Sequence, residues 1–147
     1  MIRYSVIFTL LIFFVSSCGK LKDVEVGELQ EIKLKSLKGS NAIVEVNVMV
    51  NNPSSRNIYV KQADIEILRD GYLFGTASLH EKTVIGRRSN GLVAILFDVK
   101  ITDRMALMSG RIKAILAGTD RTRLSFSGQI KAGTKTFSKS IPVNIEI

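Results

Sequence analysis

The strongest constraint on the fold of this chain is an alternation of apolar and polar residues with a period of two. Successive side chains of a β-strand point to opposite faces, so this alternation is typical of a strand buried on one face. The clearest case is Ala42–Asn51, in which Glu45 and Asn47 share one face and four valines share the other. The valines are Val44, Val46, Val48 and Val50.

Weaker alternation of the same kind recurs along the chain. The predicted strands are Leu29–Leu37, Ala42–Asn51, Ile58–Leu68, Tyr72–Leu79, Leu92–Ile101, Arg123–Lys131 and Thr136–Ile147, with a further short segment at Lys82–Ile85. Turn residues separate these strands at intervals of about ten residues, as in sandwich folds. We therefore predict an all-β domain, an antiparallel β-sandwich of about seven strands.

Local signals refine the strand prediction. Pro53 must end the second strand, because proline cannot donate a hydrogen bond to a strand ladder. Asp70-Gly71 is among the strongest short signals for a hairpin. Gly75 indicates a β-bulge in the strand after that hairpin, and a second irregularity is expected near Gln62.

The strand Leu92–Ile101 is predicted to be central in the sheet. Its inward face is apolar throughout, and Leu92, Ala94 and Leu96 make the opposite face apolar as well. Strands that are buried on both faces show such continuous apolar runs. We therefore expect the first half of this strand to be buried on both sides.

One segment has the spacing of three and four that is typical of an amphipathic helix. Its apolar residues are Met105, Met108, Ile112, Ile115 and Leu116. Thr102 or Asp103 can serve as N-cap and Gly118 can close the C-terminus, while Gly110 leaves a kinked or two-part helix open. We expect one short helix, whose cluster of Met105, Leu107 and Met108 lies in the core.

The first 18 residues have the pattern of an export signal. A basic residue precedes an apolar run of about ten residues, Val6–Val15, which is short of the roughly 20 residues that a membrane-spanning helix needs. Val15-Ser16-Ser17-Cys18 then resembles the lipobox of bacterial lipoproteins, with a departure at its first position, where leucine is usual. This resemblance implies cleavage between Ser17 and Cys18 and a diacylglyceryl group on the thiol of Cys18.

This interpretation predicts a signal peptide at residues 1–17, a lipidated tether at 18–28 and the domain at 29–147. The alternative is an ordinary signal peptide cut after Ser17, which leaves an unfavourable free thiol in an oxidising compartment. The acylated Cys18 is expected to hold the protein on a lipid bilayer of the cell envelope. Gly19 stands where an aspartate would favour the inner membrane under the best-known sorting rule, so the outer membrane is preferred.

A series of motifs follows the valine-rich strand. It comprises Asn52-Pro53, the glycine pair Gly71 and Gly75, then Val84, Ile85, Ser89, Gly128 and Ile141-Pro142. In this order they resemble the late embryogenesis abundant (LEA) type 2 family and its water-stress and hypersensitive-response (WHy) domain; Ser54 departs from it, since a second asparagine is frequent there. The resemblance implies an immunoglobulin- or fibronectin type III-like sandwich and a non-enzymatic, stress-associated role. It supplies no catalytic residues.

The formal net charge of the chain is +8 at pH 7. Such a balance favours anionic neighbours, among them lipid headgroups. Two basic pairs are candidates for contact with headgroups near the anchored terminus, namely Arg87 with Arg88 and Arg111 with Lys113. Nucleic acid is not an expected partner, because the basic residues are dispersed and no aromatic stacking platform accompanies them.

Residues that could perform chemistry are few. His80 is the only histidine, so no histidine cluster can bind a metal, and we interpret it as a solvated loop residue. The carboxylates lie on polar faces or are separated by strands. We expect no cofactor and no enzymatic activity; a hydrolase would need His80 to converge with a serine and a carboxylate.

Two functional classes remain after this reasoning. The first is a membrane-anchored, non-enzymatic protein with a protective or binding role. The second is an accessory structural subunit of an envelope assembly, which recruits a partner protein by strand addition at an open sheet edge. The existence of a stable partner separates the two, and the sequence does not indicate an oligomeric state.

Overall fold

The computed structural model describes residues 24–116 and 120–146. The predicted cleavage site at Ser17 and Cys18, and the predicted tether as far as residue 23, lie outside the described residues. The strands are β1 (Glu25–Lys38), β2 (Asn41–Asn52), β3 (Ile58–Arg69), β4 (Tyr72–Leu79), β5 (Thr83–Ile85), β6 (Ser89–Ile101), β7 (Leu124–Gly133) and β8 (Ser138–Glu146). Two helices, α1 (Arg104–Ser109) and α2 (Ile112–Leu116), lie between β6 and β7.

All of the strand pairs are antiparallel, in the order β1-β2-β6-β4-β3-β7-β8, and β5 pairs with β3. The all-β prediction is confirmed. Seven of the eight strands correspond to the seven predicted ones, and β5 corresponds to the short segment before the Gly86 turn. The strand β6 lies between β2 and β4, so its predicted central position is also confirmed.

The sheet folds over itself at the junction of β4 and β6, where the two strands pair over only five residue positions. The strands β1, β2 and β6 form one layer, and β3, β7 and β8, with β5, form the other. Their inner faces share one apolar core, to which Val44 and Phe97 contribute from the first layer and Ile67 and Leu124 from the second. The result is a sandwich-like, antiparallel fold.

A smaller apolar cluster closes one end of the molecule. It consists of Val24, Val50, Ile58, Val60, Ile85 and Ala132. The cluster lies where β2, β5 and β7 end and β3 begins, so the first described residue is packed between both layers. Burial of a valine contributes about 1.5–3 kcal/mol, so Val24 helps to hold the segment before β1 against both layers.

The predicted turns and irregularities are confirmed. Asp70 and Gly71 both have positive φ, 49° and 86°, as the tightest hairpin turn requires. A register shift occurs next to Gly75, at the fully buried Phe74. A second shift separates Gln62 from Val60 in the pairing of β3 with β7.

The expectation of one helix is corrected to two short helices. Asp103 is the N-cap of α1 and accepts a hydrogen bond from the backbone N–H of Ala106 at 3.1 Å. Gly110 then takes a left-handed conformation, with φ 68°, and donates its N–H to the carbonyl of Leu107. A residue in this conformation ends a helix, so α2 has to begin anew at Ile112.

The predicted burial of the methionines was wrong. Met105 and Met108 are 73% and 85% exposed, because α1 has only six residues and turns the side of Ala106 towards the core. Leu107 packs partly against the core. The three large apolar residues of α2, Ile112, Ile115 and Leu116, are buried as predicted.

Two further details differ from the sequence-based expectation. Leu92 is 62% exposed and Ala94 is exposed, so the first half of β6 is buried on its inner face alone. Within residues 24–116 and 120–146, no third layer covers the outer face of β2 and β6. The strand β1 begins at Glu25, four residues before the predicted Leu29. The last part of the predicted tether therefore pairs with β2, Glu25 lying opposite Asn51.

Candidate functional site

The four basic residues that the sequence singles out lie in two separate places. Arg87 and Arg88 are in the turn between β5 and β6, at the end of the sandwich where Val24 is buried. Arg111 immediately precedes α2 and Lys113 is within it. Only the first pair therefore lies at the end of the fold where Val24 is buried.

Asn52 organises the loops around the first pair. Its side chain is fully buried, with no exposed surface. Its Nδ2 donates hydrogen bonds to the carbonyls of Arg56 at 2.9 Å and Gly86 at 3.0 Å. Its Oδ1 accepts hydrogen bonds from the N–H of Ser54 at 3.2 Å and from the hydroxyl of Ser54 at 2.7 Å. One amide thus joins the loop after β2 to the turn after β5.

Further hydrogen bonds fix these two loops to each other. The N–H of Arg87 donates to Oδ1 of Asn57 at 2.9 Å, and the N–H of Arg88 donates to the carbonyl of Ser54 at 3.0 Å. Arg88 adopts a left-handed φ of 48°, which is uncommon for a residue with a side chain. The backbone of both arginines is therefore held by the loop that carries Arg56.

The turn between β7 and β8 lies at the same end, because Gly133 pairs with Tyr59 near the start of β3. The Nζ of Lys61 donates hydrogen bonds to the carbonyl of Thr134 at 2.6 Å and to the hydroxyl of Ser138 at 2.7 Å, bridging the turn. The ammonium group of Lys61 is therefore engaged in hydrogen bonds within the fold. Lys135, at the tip of the turn, is exposed.

We call the three loops 53–57, 86–88 and 134–137 the basic end. Their charged residues are Arg56, Arg87, Arg88 and Lys135, and the loops contain no aspartate or glutamate. All four side chains belong to exposed residues, and none of them takes part in the ion pairs formed among the described residues. The basic end thus carries four exposed cations without an ion-pair partner among the described residues, while Glu25, opposite Asn51, lies at the same end.

The opposite end of the sandwich has mixed charge. Arg111 forms an ion pair with Asp120 at 2.6 Å, and Arg69 forms one with Asp103 at 2.7 Å. Burial acts to raise the pKa of Asp103, but the hydrogen bond from Ala106 and the guanidinium of Arg69 outweigh it, and its pKa lies below the ordinary value. The cations here are thus partly neutralised within the fold.

His80 has a partner that the sequence does not reveal. Its Nδ1 lies 2.8 Å from Oδ1 of Asp98, across the junction of β4 and β6, and the two side chains are 38% and 50% exposed. Ser78 is opposite Asp98 in the sheet register. Among the hydrogen bonds of the described residues, none joins a serine hydroxyl to His80. His80 and Asp98 thus form a histidine–carboxylate pair, but no serine hydroxyl among the described residues is hydrogen-bonded to the imidazole ring as a nucleophile would be.

Other binding features are modest. A shallow groove of about 480 Å³ crosses the outer face near β4 and β6; its lining includes Asp64 and Asp98 together with Lys38 and Lys100. Within residues 24–116 and 120–146, no three metal-ligating side chains come together. The two described helices are too short to cross a bilayer.

Among the described strands, β1 and β8 lie at the two ends of the strand order. The pairing of β1 with β2 contains three register shifts, and bulges of this kind hinder the addition of another strand. The strand β8 contains Pro142, which has no N–H to offer to a neighbour. Both edges therefore carry features that natural sheets use to discourage pairing.

Comparisons with known proteins show the fold and leave the family open. No family model matches the sequence, and no curated protein sequence matches it. Among solved structures, a protein from Archaeoglobus fulgidus covers 82% of this chain and 94% of its own length, with a TM-score of 0.55 and 11% identity. This likeness shows a shared fold.

Two further solution structures are similar to this chain. One is a protein from Arabidopsis thaliana, with a TM-score of 0.43 and 16% identity, over 83% of this chain and 80% of that one. The other is a proposed late embryogenesis abundant (LEA) protein, with a TM-score of 0.34 and 14% identity, over 84% of this chain and 71% of that one.

Proposed function

We propose that this protein is a lipid-anchored, non-enzymatic protein of the cell envelope. In this proposal Cys18 carries the acyl chains, and a LEA type 2/WHy-like sandwich acts by associating with a surface or a binding partner in a protective role. The outer membrane is the preferred location. The second anchoring signal that a lipidated protein often combines with its acyl chains is a group of basic residues.

The observation that carries this proposal is the position of Val24 in the fold. Val24 is buried at the basic end, and it lies only six positions after Cys18 in the chain. A fully extended chain spans at most about 3.3–3.6 Å per residue, so a lipid on Cys18 would keep this end within about 20 Å of the bilayer. The exposed cations of the basic end would then lie on the side that faces the membrane.

The LEA type 2 resemblance is supported by the structural roles of the motif residues in this fold. Asn52 of the Asn-Pro motif makes four hydrogen bonds from a fully buried position. At Gly75 of the glycine pair, an added methyl group would collide with the carbonyl of Lys100 in β6. These motif residues build the sandwich, which agrees with a likeness in fold; they do not form a catalytic centre.

Intact mass of the protein extracted from membranes tests the anchor. The expected mass is that of a chain that has lost residues 1–17 and gained a diacylglyceryl group on Cys18. The Cys18→Ser variant is the control and should retain its N-terminal residues without the added mass. Recovery of the unmodified chain starting at Met1 from cells that express the native sequence would overturn the proposal.

A purification separates this proposal from the accessory-subunit alternative. The protein, solubilised in mild detergent and captured through a C-terminal tag, is expected to be recovered alone. Repeated recovery of one stoichiometric partner would favour the subunit, and hydrogen exchange of β1 and β8 would then show whether a strand had been added to an edge.

A further inference from the structure

We infer that the basic end is a docking surface for the anionic headgroups of a phospholipid bilayer. This inference rests on the proposed function, because it assumes the membrane attachment proposed there. It assigns the contact to Arg56, Arg87, Arg88 and Lys135 and leaves Arg111 and Lys113 out. The domain would stand with its strands pointing away from the membrane and its basic end against the headgroups.

The charges of the basic end suit phosphate groups. Three of the four are guanidinium groups, which donate hydrogen bonds to phosphate oxygens in pairs. None of the four has an anionic partner within the described part of the chain. Contact with a phosphate therefore breaks no ion pair of the folded protein.

The loops are already ordered for binding. The amide of Asn52 ties the loop of Arg56 to the turn of Arg87 and Arg88, and the backbone of each arginine in that turn has its own hydrogen bond to the first loop. Ordering flexible loops is one of the costs that weaken association. Here the backbone of the loops is already ordered in the folded protein, so this part of the cost does not arise on binding.

Exposed apolar side chains accompany the cations. Phe137 lies two residues from Lys135 and is 41% exposed, and Val84 lies three residues before Arg87 and is 52% exposed. Basic residues with apolar neighbours are typical of protein surfaces that rest in the headgroup region of an anionic membrane.

The distances explain why the other basic pair is left out. Lys113 lies beside Leu34, which pairs with Val44, and Val44 is seven residues along β2 from Asn51 at the basic end. At about 3.3 Å per residue this places Lys113 more than 20 Å from that end. The Debye length at physiological ionic strength is about 8 Å. Headgroups in contact with the basic end are therefore screened from Lys113.

Vesicle sedimentation tests the inference. The test uses the Cys18→Ser chain beginning at residue 18, which retains every described residue and carries no acyl chain. Any binding to vesicles then comes from the protein itself. It is mixed with vesicles that contain one third phosphatidylglycerol or phosphatidylcholine alone. We expect binding to the anionic vesicles that falls steeply as salt is raised, and little binding to the neutral ones. Equal binding to both kinds of vesicle would overturn the inference.

Paired variants locate the surface. Arg87→Gln with Arg88→Gln should weaken binding to anionic vesicles by about 25-fold, at about fivefold for each charge near the surface. The matched control, Lys113→Gln with Arg121→Gln, removes the same net charge at exposed positions outside the basic end and should change binding by less than about twofold. An equal loss in both double variants would show attraction by net charge alone and refute a docking surface.

Thermal unfolding of both double variants shows whether a loss of vesicle binding comes from misfolding. All four substitutions lie at exposed residues, so we expect both variants to unfold at nearly the temperature of the native chain. Inorganic phosphate at the concentration of the lipid phosphate provides a further arm. If it competes fully with the vesicles, the site binds a free anion and the bilayer assignment is wrong. The mass measurement on Cys18 is independent, so the anchor can fail while the docking surface stands, and the reverse.

Discussion

Replacing Asn52 by alanine is the most informative single perturbation of this fold. Asn52 is fully buried and joins two loops that are 34 residues apart in the chain. The Asn52→Ala variant removes two donated and two accepted hydrogen bonds and leaves the apolar cluster around Val24 in place. Its effect therefore measures the amide network itself.

The expected loss of stability follows from the hydrogen bonds. Each contributes about 0.5–1.5 kcal/mol net, so that four bonds amount to about 2–6 kcal/mol. After the substitution the single hydroxyl proton of Ser54, which Asn52 no longer accepts, can go to the carbonyl of Arg56 at 3.1 Å, and the hydroxyl of Ser89 still donates to the carbonyl of Gly86. The lower part of the range applies, and we expect the free energy of unfolding to fall by about 2–4 kcal/mol.

Urea unfolding followed by far-ultraviolet circular dichroism measures this change. Asn47→Ala is the matched control, because Asn47 is only half-buried and its amide donates one hydrogen bond, to Glu45 at 3.1 Å. The control should lose less than about 1 kcal/mol. The slope of the transition should stay the same in both variants, which shows that the surface exposed on unfolding has not changed.

An isosteric variant sharpens the test. Asn52→Asp keeps the acceptor but places a carboxylate oxygen against the carbonyls of Arg56 and Gly86. Burial without a cation raises the pKa of such a group, so the variant should be less stable than Asn52→Ala at neutral pH and should recover part of the loss in acid. Equal stability of the native chain, Asn52→Ala and Asn47→Ala would refute the role of the network.

Three other predictions address the core and the helices. Gly75→Ala should destabilise the fold, because its methyl group would meet the backbone of β6, whereas Gly91→Ala has open space and should leave the urea midpoint nearly unchanged. Ile112→Ala should cost about 2–5 kcal/mol, and Met108→Ala, at an 85% exposed position, should stay within about 0.5 kcal/mol in the same titration. Asp103→Asn keeps a helix cap but loses the ion pair with Arg69. The pKa of Asp103 is lower in the folded than in the unfolded protein. Its carboxylate therefore stabilises the fold above the unfolded-state pKa, and this contribution is lost as pH falls through the lower folded-state pKa. Stability measured across acidic pH should therefore decline more steeply in the native chain than in D103N, and parallel curves would contradict this.

The strands could be predicted because each carries its own signal. A period of two needs only neighbouring residues, and Pro53 and Asp70-Gly71 mark turns by their backbone chemistry. The burial of the helix residues could not be predicted in the same way. A spacing of three and four selects Met105 and Met108 together with Ile112, but Gly110 turns the chain between them, and only packing decides which short helix contacts the core.

The candidate site was predictable only in part for a related reason. Arg87 and Arg88 stand out as neighbours in the sequence, but Arg56 and Lys135 come to the same end through the pairing of β5 and β7 with β3. The pairing of His80 with Asp98 likewise depends on the register of β4 and β6. Contacts between distant segments need the strand order, which the alternation within single strands does not contain.

Folding and the proposed docking depend on different residues of one end. Asn52 is internal and holds the loops, while Arg87 and Arg88 are external and carry the charge. Loss of Asn52 should therefore weaken both stability and binding to anionic vesicles, whereas loss of the two arginine charges should weaken binding alone. It follows that a motif such as Asn52-Pro53 carries information about the fold, and that the ligand has to be sought in the exposed residues that the motif positions.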